Sequence, residues 1–130
     1  MKTSKLLFYL DDDIDDLNYF KHITSELGHR TEIFITGNEL LYALKHEPEK
    51  PDLIFLDVHM PILNGEEILN IIKKSEDSKY IPTVMISGAF PKKLARNYHK
   101  IGAEYLMKKS GSDLKSALEH VLQLSFPLTA

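Results

Sequence analysis

The chain has 130 residues, the size of one domain rather than two. Sixteen Lys plus Arg against nineteen Asp plus Glu leave a net charge of -3, which excludes the basic footprint of a nucleic-acid or anionic-lipid binder. Cysteine is absent, so structural disulfides, thiolate nucleophiles and Cys-rich zinc sites are excluded together. No run reaches the roughly 18 apolar residues needed to cross a bilayer, and the chain reads as a soluble, cytoplasmic protein.

Short apolar runs alternate with longer stretches of helical period along the whole chain. The first run, Leu6–Leu10, stops at Asp11, too early for a secretory segment, and reads as a strand. A helix follows over Asp15–Leu27, with Gly28 as its C-terminal stop. The pattern continues as strand Glu32–Ile35, helix Asn38–His46, strand Leu53–Leu56, helix Gly65–Lys74 and strand Thr83–Ile86. It ends as helix Lys92–Ile101, opened by Pro91, strand Tyr105–Met107 and helix Asp113–Leu124, with Ser112 as N-cap and Pro127 beyond. The last helix carries Leu114, Ala117, Leu118, Val121 and Leu122 on one stripe. Strands apolar throughout fit a parallel sheet covered on both faces, and strict alternation predicts an α/β domain, doubly wound with right-handed crossovers. One domain over residues 1–124 is expected, with a short tail over 125–130.

Ligands of such sheets bind beyond the carboxyl ends of the strands. The residues there are Asp11, Asp12 and Asp13 after the first strand, Asp57 after the third, Ser87 and Gly88 after the fourth, and Lys108 and Lys109 after the fifth. Clustered carboxylates repel one another and make sense around a hard cation, for which Mg²⁺ is the natural candidate. Asp13, Asp15 and Asp16 are better explained by the dipole of the first helix, whereas Asp11 and Asp12 precede it and are available as ligands. Asp57 is followed by a segment, residues 58–65, that is longer and more apolar than a simple cap needs and that can shield it from bulk water.

These residues resemble the receiver domain of bacterial two-component response regulators from about Lys5 to Leu124. Phe8-Tyr9-Leu10-Asp11-Asp12-Asp13 looks like the family's first strand and acidic pair. Asp52-Leu53-Ile54-Phe55-Leu56-Asp57-Val58-His59-Met60-Pro61, followed by Asn64-Gly65, is similar to its phosphoacceptor segment and carries the most specific signal. Residues 81–88 look like the fourth strand with its switch hydroxyl at Ser87, and residues 102–108 resemble the fifth strand with its aromatic and lysine.

The resemblance implies a five-stranded (βα)5 sheet of flavodoxin-like order 2-1-3-4-5. It also implies Asp57 as acceptor of a phosphoryl group from a sensor histidine kinase or histidine phosphotransfer protein. Mg²⁺ is then held by Asp11, Asp12, Asp57 and the His59 backbone carbonyl. The same resemblance implies that Lys108 pairs with Asp57 and then with a phosphoryl oxygen, that Ser87 moves toward the phosphate, and that Tyr105 turns into the vacated space. That movement alters the surface of the fourth helix, fifth strand and fifth helix, through which a downstream protein reads the signal, as a monomer or a phosphorylation-dependent dimer. The resemblance also implies that His59 and Ala89 flank the phosphoryl group.

Two departures stand out: Lys109 and Ser110 replace the proline that usually follows the lysine, and the spacing from Gly102-Ala103 favours Lys109 while the spacing from Tyr105 favours Lys108. Lys108 is preferred because the other register buries it. The remaining histidines form no ligand set, and Lys92, Lys93, Arg96 and Lys100 give the fourth helix a basic face of the kind that is usually solvated.

Such a domain is a switch that catalyses its own phosphorylation and dephosphorylation rather than a turnover enzyme. With no output domain in the sequence, the expectation is a stand-alone regulator that signals by protein contact. Two rivals are a phosphorylation-independent docking module and a small phosphatase with Asp11 as nucleophile and Asp13 as the second Asp two residues on. An EF-hand over Asp11 to Asp16 fails for want of the central Gly and terminal Glu.

Overall fold

Five runs of four or five residues build a single parallel sheet; three of them are mostly apolar and bury on both faces, while the other two are partly exposed. A computed structural model describes residues 4–58, 65–88, 92–108 and 114–124. The elements are β1 (Leu6–Leu10), α1 (Ile14–Glu26), β2 (Arg30–Phe34), α2 (Gly37–His46), β3 (Leu53–Asp57), α3 (Gly65–Lys74), β4 (Thr83–Ser87), α4 (Lys92–Ile101), β5 (Tyr105–Lys108) and α5 (Leu114–Gln123). The sheet order is β2-β1-β3-β4-β5, with all neighbours parallel, as the α/β reading and the receiver resemblance implied.

Every residue of β1, β3 and β4 is buried, which places the three at the centre. On one face Leu6, Phe8, Leu10, Ile54, Leu56 and Met85 pack with Leu40 of α2, Ile68 of α3 and Tyr98 of α4. On the other, Leu7, Tyr9, Phe55, Val84, Ile86 and Met107 pack with Phe20 of α1 and Leu118 of α5. Strand alternation thus assigns each residue to one of two cores, and a slip of one residue exchanges them.

The edge strand β2 differs from its expected span, running over Arg30–Phe34 rather than Glu32–Ile35. Arg30 and Glu32 are exposed on this edge, so the strand has no continuous apolar run to mark its start. Its anchor is instead the buried Thr31, whose hydroxyl lies 2.6 Å from that of Thr24. β3, β4 and β5 each extend one residue beyond expectation, taking in Asp57, Ser87 and Lys108. Gly28 follows α1 with φ of 90°, a left-handed conformation that suits glycine. Thr36 and Glu39 form a capping box at α2. The expected caps at Pro91 and Ser112, and residues 125–130 with Pro127, lie outside the described residues.

Opposite the carboxyl ends, one ion pair ties α3 to the entries of β4 and β5. Lys73 Nζ donates to both Glu104 oxygens, at 2.8 and 3.0 Å, and to the Ile81 carbonyl at 2.9 Å. Glu104 Oε1 also accepts the Thr83 N–H at 2.7 Å. The Lys73 side chain is only 9% exposed and that of Glu104 30%, so the pair sits between a surface and a buried one. Glu104→Ala is expected to cost about 2 kcal/mol in urea unfolding, because it strands a lysine and a backbone donor together. Glu104→Gln keeps an acceptor for Thr83 and is expected to cost less than Glu104→Ala.

Candidate functional site

Because all five strands are parallel, their carboxyl ends meet on one rim, and the chain places its acids there. Asp11 follows β1 with no exposure, Asp57 closes β3 at 6% exposure, and Asp12 is exposed beside them. Leu10 pairs with Leu56, so Asp11 and Asp57 stand one residue further along adjacent strands. Asp11, Asp12 and Asp57 each offer a carboxylate oxygen, all within 4.8 Å of one another. An octahedral Mg²⁺ with bonds of about 2.0–2.1 Å needs oxygens roughly 3–4 Å apart, so small side-chain adjustments bring these three onto one ion. The donor set is all oxygen and anionic, which fits that ion's chemistry.

Asp11 is held from two sides. Its Oδ1 accepts the Asp13 N–H at 3.0 Å, and its Oδ2 accepts the Tyr9 hydroxyl at 2.5 Å. Burial and the bond to Asp11 push the Tyr9 hydroxyl well above its ordinary value, so it stays protonated and donates. Asp13 caps α1 by accepting the N–H groups of Asp15 and Asp16, at 2.9 and 3.1 Å, the helix-terminal role expected of it. Asp13 occupied in this way is poorly placed as the acid of a phosphatase pair.

Ser87, fully buried, ends β4 beside Asp57, with Asp57 in register with Ile86. By alternation Asp57 lies on the face of Phe55 and Ile86, whereas Ser87 lies on the face of Met85. Lys108 is in register with Ser87, is exposed, and alternates with Leu106 to that second face. Tyr105 is three residues from Lys108 and therefore lies on the first face, packed toward α5 with its ring centroid 6.3 Å from that of His120.

The structure thus does not bring Tyr105 behind Ser87. Leu106, in register with Met85 and packed against the core that holds α4, occupies that side. The period-two count across β4 and β5 was the signal that points to Leu106; the aromatic-to-lysine spacing obscured it. Nor does Lys108 share the face of Asp57. His59, Ala89 and Lys109 lie outside the described residues.

The cations Lys92, Lys93, Arg96 and Lys100 are exposed on α4. Among the described residues no helix is long and apolar enough to cross a membrane.

The response regulator receiver domain model matches residues 7–119. Response regulator Rcp1 of Synechocystis is 29% identical over 90 residues, covering 64% of this chain. The chain spans 61% of Rcp1 and 24% of a longer Arabidopsis thaliana response regulator that it also matches, less than two thirds of either. Among solved structures, the phosphorylated cyanobacterial phytochrome response regulator RcpA superposes with a TM-score of 0.84 at 22% identity, covering 95% of this chain and 97% of its own. The Mn²⁺-bound form of Rcp1 superposes at 0.82 and 21% identity, covering 97% and 99%. At these identities the structural likeness speaks for the fold. The chain belongs to the response regulator receiver family. It is a receiver domain of two-component signalling whose acidic pocket is formed by Asp11, Asp12 and Asp57.

Proposed function

We propose that Asp57 accepts a phosphoryl group from the phosphohistidine of a sensor histidine kinase or histidine phosphotransfer protein, and that the phosphorylated domain signals through a changed α4-β5-α5 surface. The observation that carries this reading is the buried Asp57 carboxylate at the end of a central strand, within 4.8 Å of Asp11 and Asp12.

In the step, a carboxylate oxygen of Asp57 bonds to phosphorus as the phosphorus–nitrogen bond breaks, and the departing imidazole takes up a proton. Asp11, Asp12 and Asp57, with the His59 carbonyl, are the ligands proposed for Mg²⁺. Bound there, the ion supplies neutralisation of the negative charge on the transferring group. The Mn²⁺-bound form of Rcp1 supports a divalent cation in this fold. Ser87 donates to a phosphoryl oxygen, and Lys108 is the proposed cation for another. Because Lys108 faces away from Asp57, its sequence neighbour Lys109 is the alternative, and phosphorylation rates of the two alanine variants decide between them. A cytoplasmic location, as a monomer or a phosphorylation-dependent dimer, belongs to the same proposal.

Incubation with acetyl phosphate and Mg²⁺ is expected to add the mass of one phosphoryl group, and EDTA to prevent it. No adduct, from acetyl phosphate or from a phosphorylated histidine kinase, would favour the docking module. Ser87→Ala is expected to leave the adduct largely intact while cutting the beryllofluoride-induced NMR shifts of Leu106 at least in half, because the buried hydroxyl that links phosphate to that core is gone. Equal shifts in variant and wild type would remove Ser87 from the switch.

A further inference from the structure

We infer that Tyr9 is a positioning residue for cation binding, acting through Asp11. The inference rests on the proposed reading of Asp11 as a ligand and extends it to a residue within the core.

Tyr9 lies on β1, two residues before Asp11 and therefore on the same face of the sheet. It is 1% exposed, and its ring lies 4.1 Å from that of Phe20, which in turn lies 5.0 Å from Phe55. An aliphatic side chain would fill this space without bringing a hydroxyl under the acidic rim. A buried tyrosine hydroxyl needs a partner, and this one donates to Asp11 Oδ2 at 2.5 Å. The aromatic packing fixes where the hydroxyl sits, and the hydroxyl fixes the carboxylate.

With Oδ1 held by the Asp13 N–H at 3.0 Å, both oxygens of Asp11 have a set direction before any cation arrives. Asp11 is fully buried, so no bulk water stands in for a lost donor. Hydrogen bonds behind a metal ligand orient it, and losing one typically lowers metal affinity by about 10- to 100-fold. The low end of that range is expected here, because the Asp13 N–H continues to hold Oδ1.

Tyr9→Phe keeps the ring and removes only the hydroxyl. Calorimetric titration with Mg²⁺ is expected to give a dissociation constant roughly tenfold above that of wild type. The acetyl phosphate reaction is expected to slow at low Mg²⁺ and to recover at saturating Mg²⁺, a rescue that a purely structural role for Tyr9 would not produce. A second measurement needs no variant: the Tyr9 hydroxyl proton should exchange slowly with solvent in NMR spectra of the wild type.

Mg²⁺ affinity in Tyr9→Phe within twofold of wild type would overturn the inference and leave the acidic pocket standing as a cation site. A hydroxyl proton that exchanges freely would also overturn it. Failure of the wild-type protein to bind Mg²⁺ would overturn both the inference and the reading on which it rests.

Discussion

Asp57→Asn is expected to abolish Mg²⁺-dependent phosphoryl uptake while leaving the fold intact. The amide has nearly the shape of the carboxylate, so it fits the same buried position at the end of β3. It lacks the anionic oxygen that attacks phosphorus, and it contributes no charge to the acidic set with Asp11 and Asp12. Intact mass after acetyl phosphate treatment and a thermal melt of the same sample measure the two halves of the prediction. An adduct that persists in Asp57→Asn would move the acceptor elsewhere on the rim. Steady phosphomonoester turnover lost in Asp11→Asn but kept in Asp57→Asn would revive the phosphatase reading.

Gly65→Ala is expected to destabilise the domain by about 2 kcal/mol and to slow phosphorylation at least about tenfold. Gly65 opens α3 against the end of β3, and its N–H donates to the Val58 carbonyl. A Cβ there would stand 2.8 Å from the Asp57 carbonyl oxygen and 3.1 Å from Val58 Cα. It would also stand 3.1 Å from Met85 Cε, the flexible tip of a side chain, which can move; the two backbone atoms cannot move without shifting the strand end that carries Asp57. Alanine's helix preference returns at most about 1 kcal/mol against this clash. Urea unfolding and the labelling rate test both parts, and a variant with wild-type stability would contradict the packing.

The central strands were legible because burial on both faces leaves an unbroken apolar run, as in Leu53-Ile54-Phe55-Leu56. The acidic rim was legible for a related reason: Asp11 and Asp57 interrupt such runs at the same end of adjacent parallel strands. β2 was shifted because an edge strand exposes Arg30 and Glu32 and so carries no such run. The relation of Ser87 to β5 was harder to read, since it depends on which residue of one strand stands beside which residue of the next. The register Ser87 with Lys108 sends Tyr105 and Leu106 to opposite cores, and the period-two count yields this only once the two strand ends are set side by side. The hydrogen bond from Tyr9 to Asp11 was invisible for a simpler reason. In the sequence Tyr9 is one more apolar residue of a buried strand, and only its depth beneath the rim gives its hydroxyl a task.

The residue that carries the phosphoryl group can be located chemically. After brief exposure to acetyl phosphate and Mg²⁺, borohydride reduction converts an aspartyl phosphate to homoserine, which peptide mass mapping locates. Homoserine is expected at position 57 and at no other carboxylate, with none formed in EDTA. Homoserine at 11 or 12, or label that does not depend on Mg²⁺, would contradict Asp57 as the Mg²⁺-dependent acceptor.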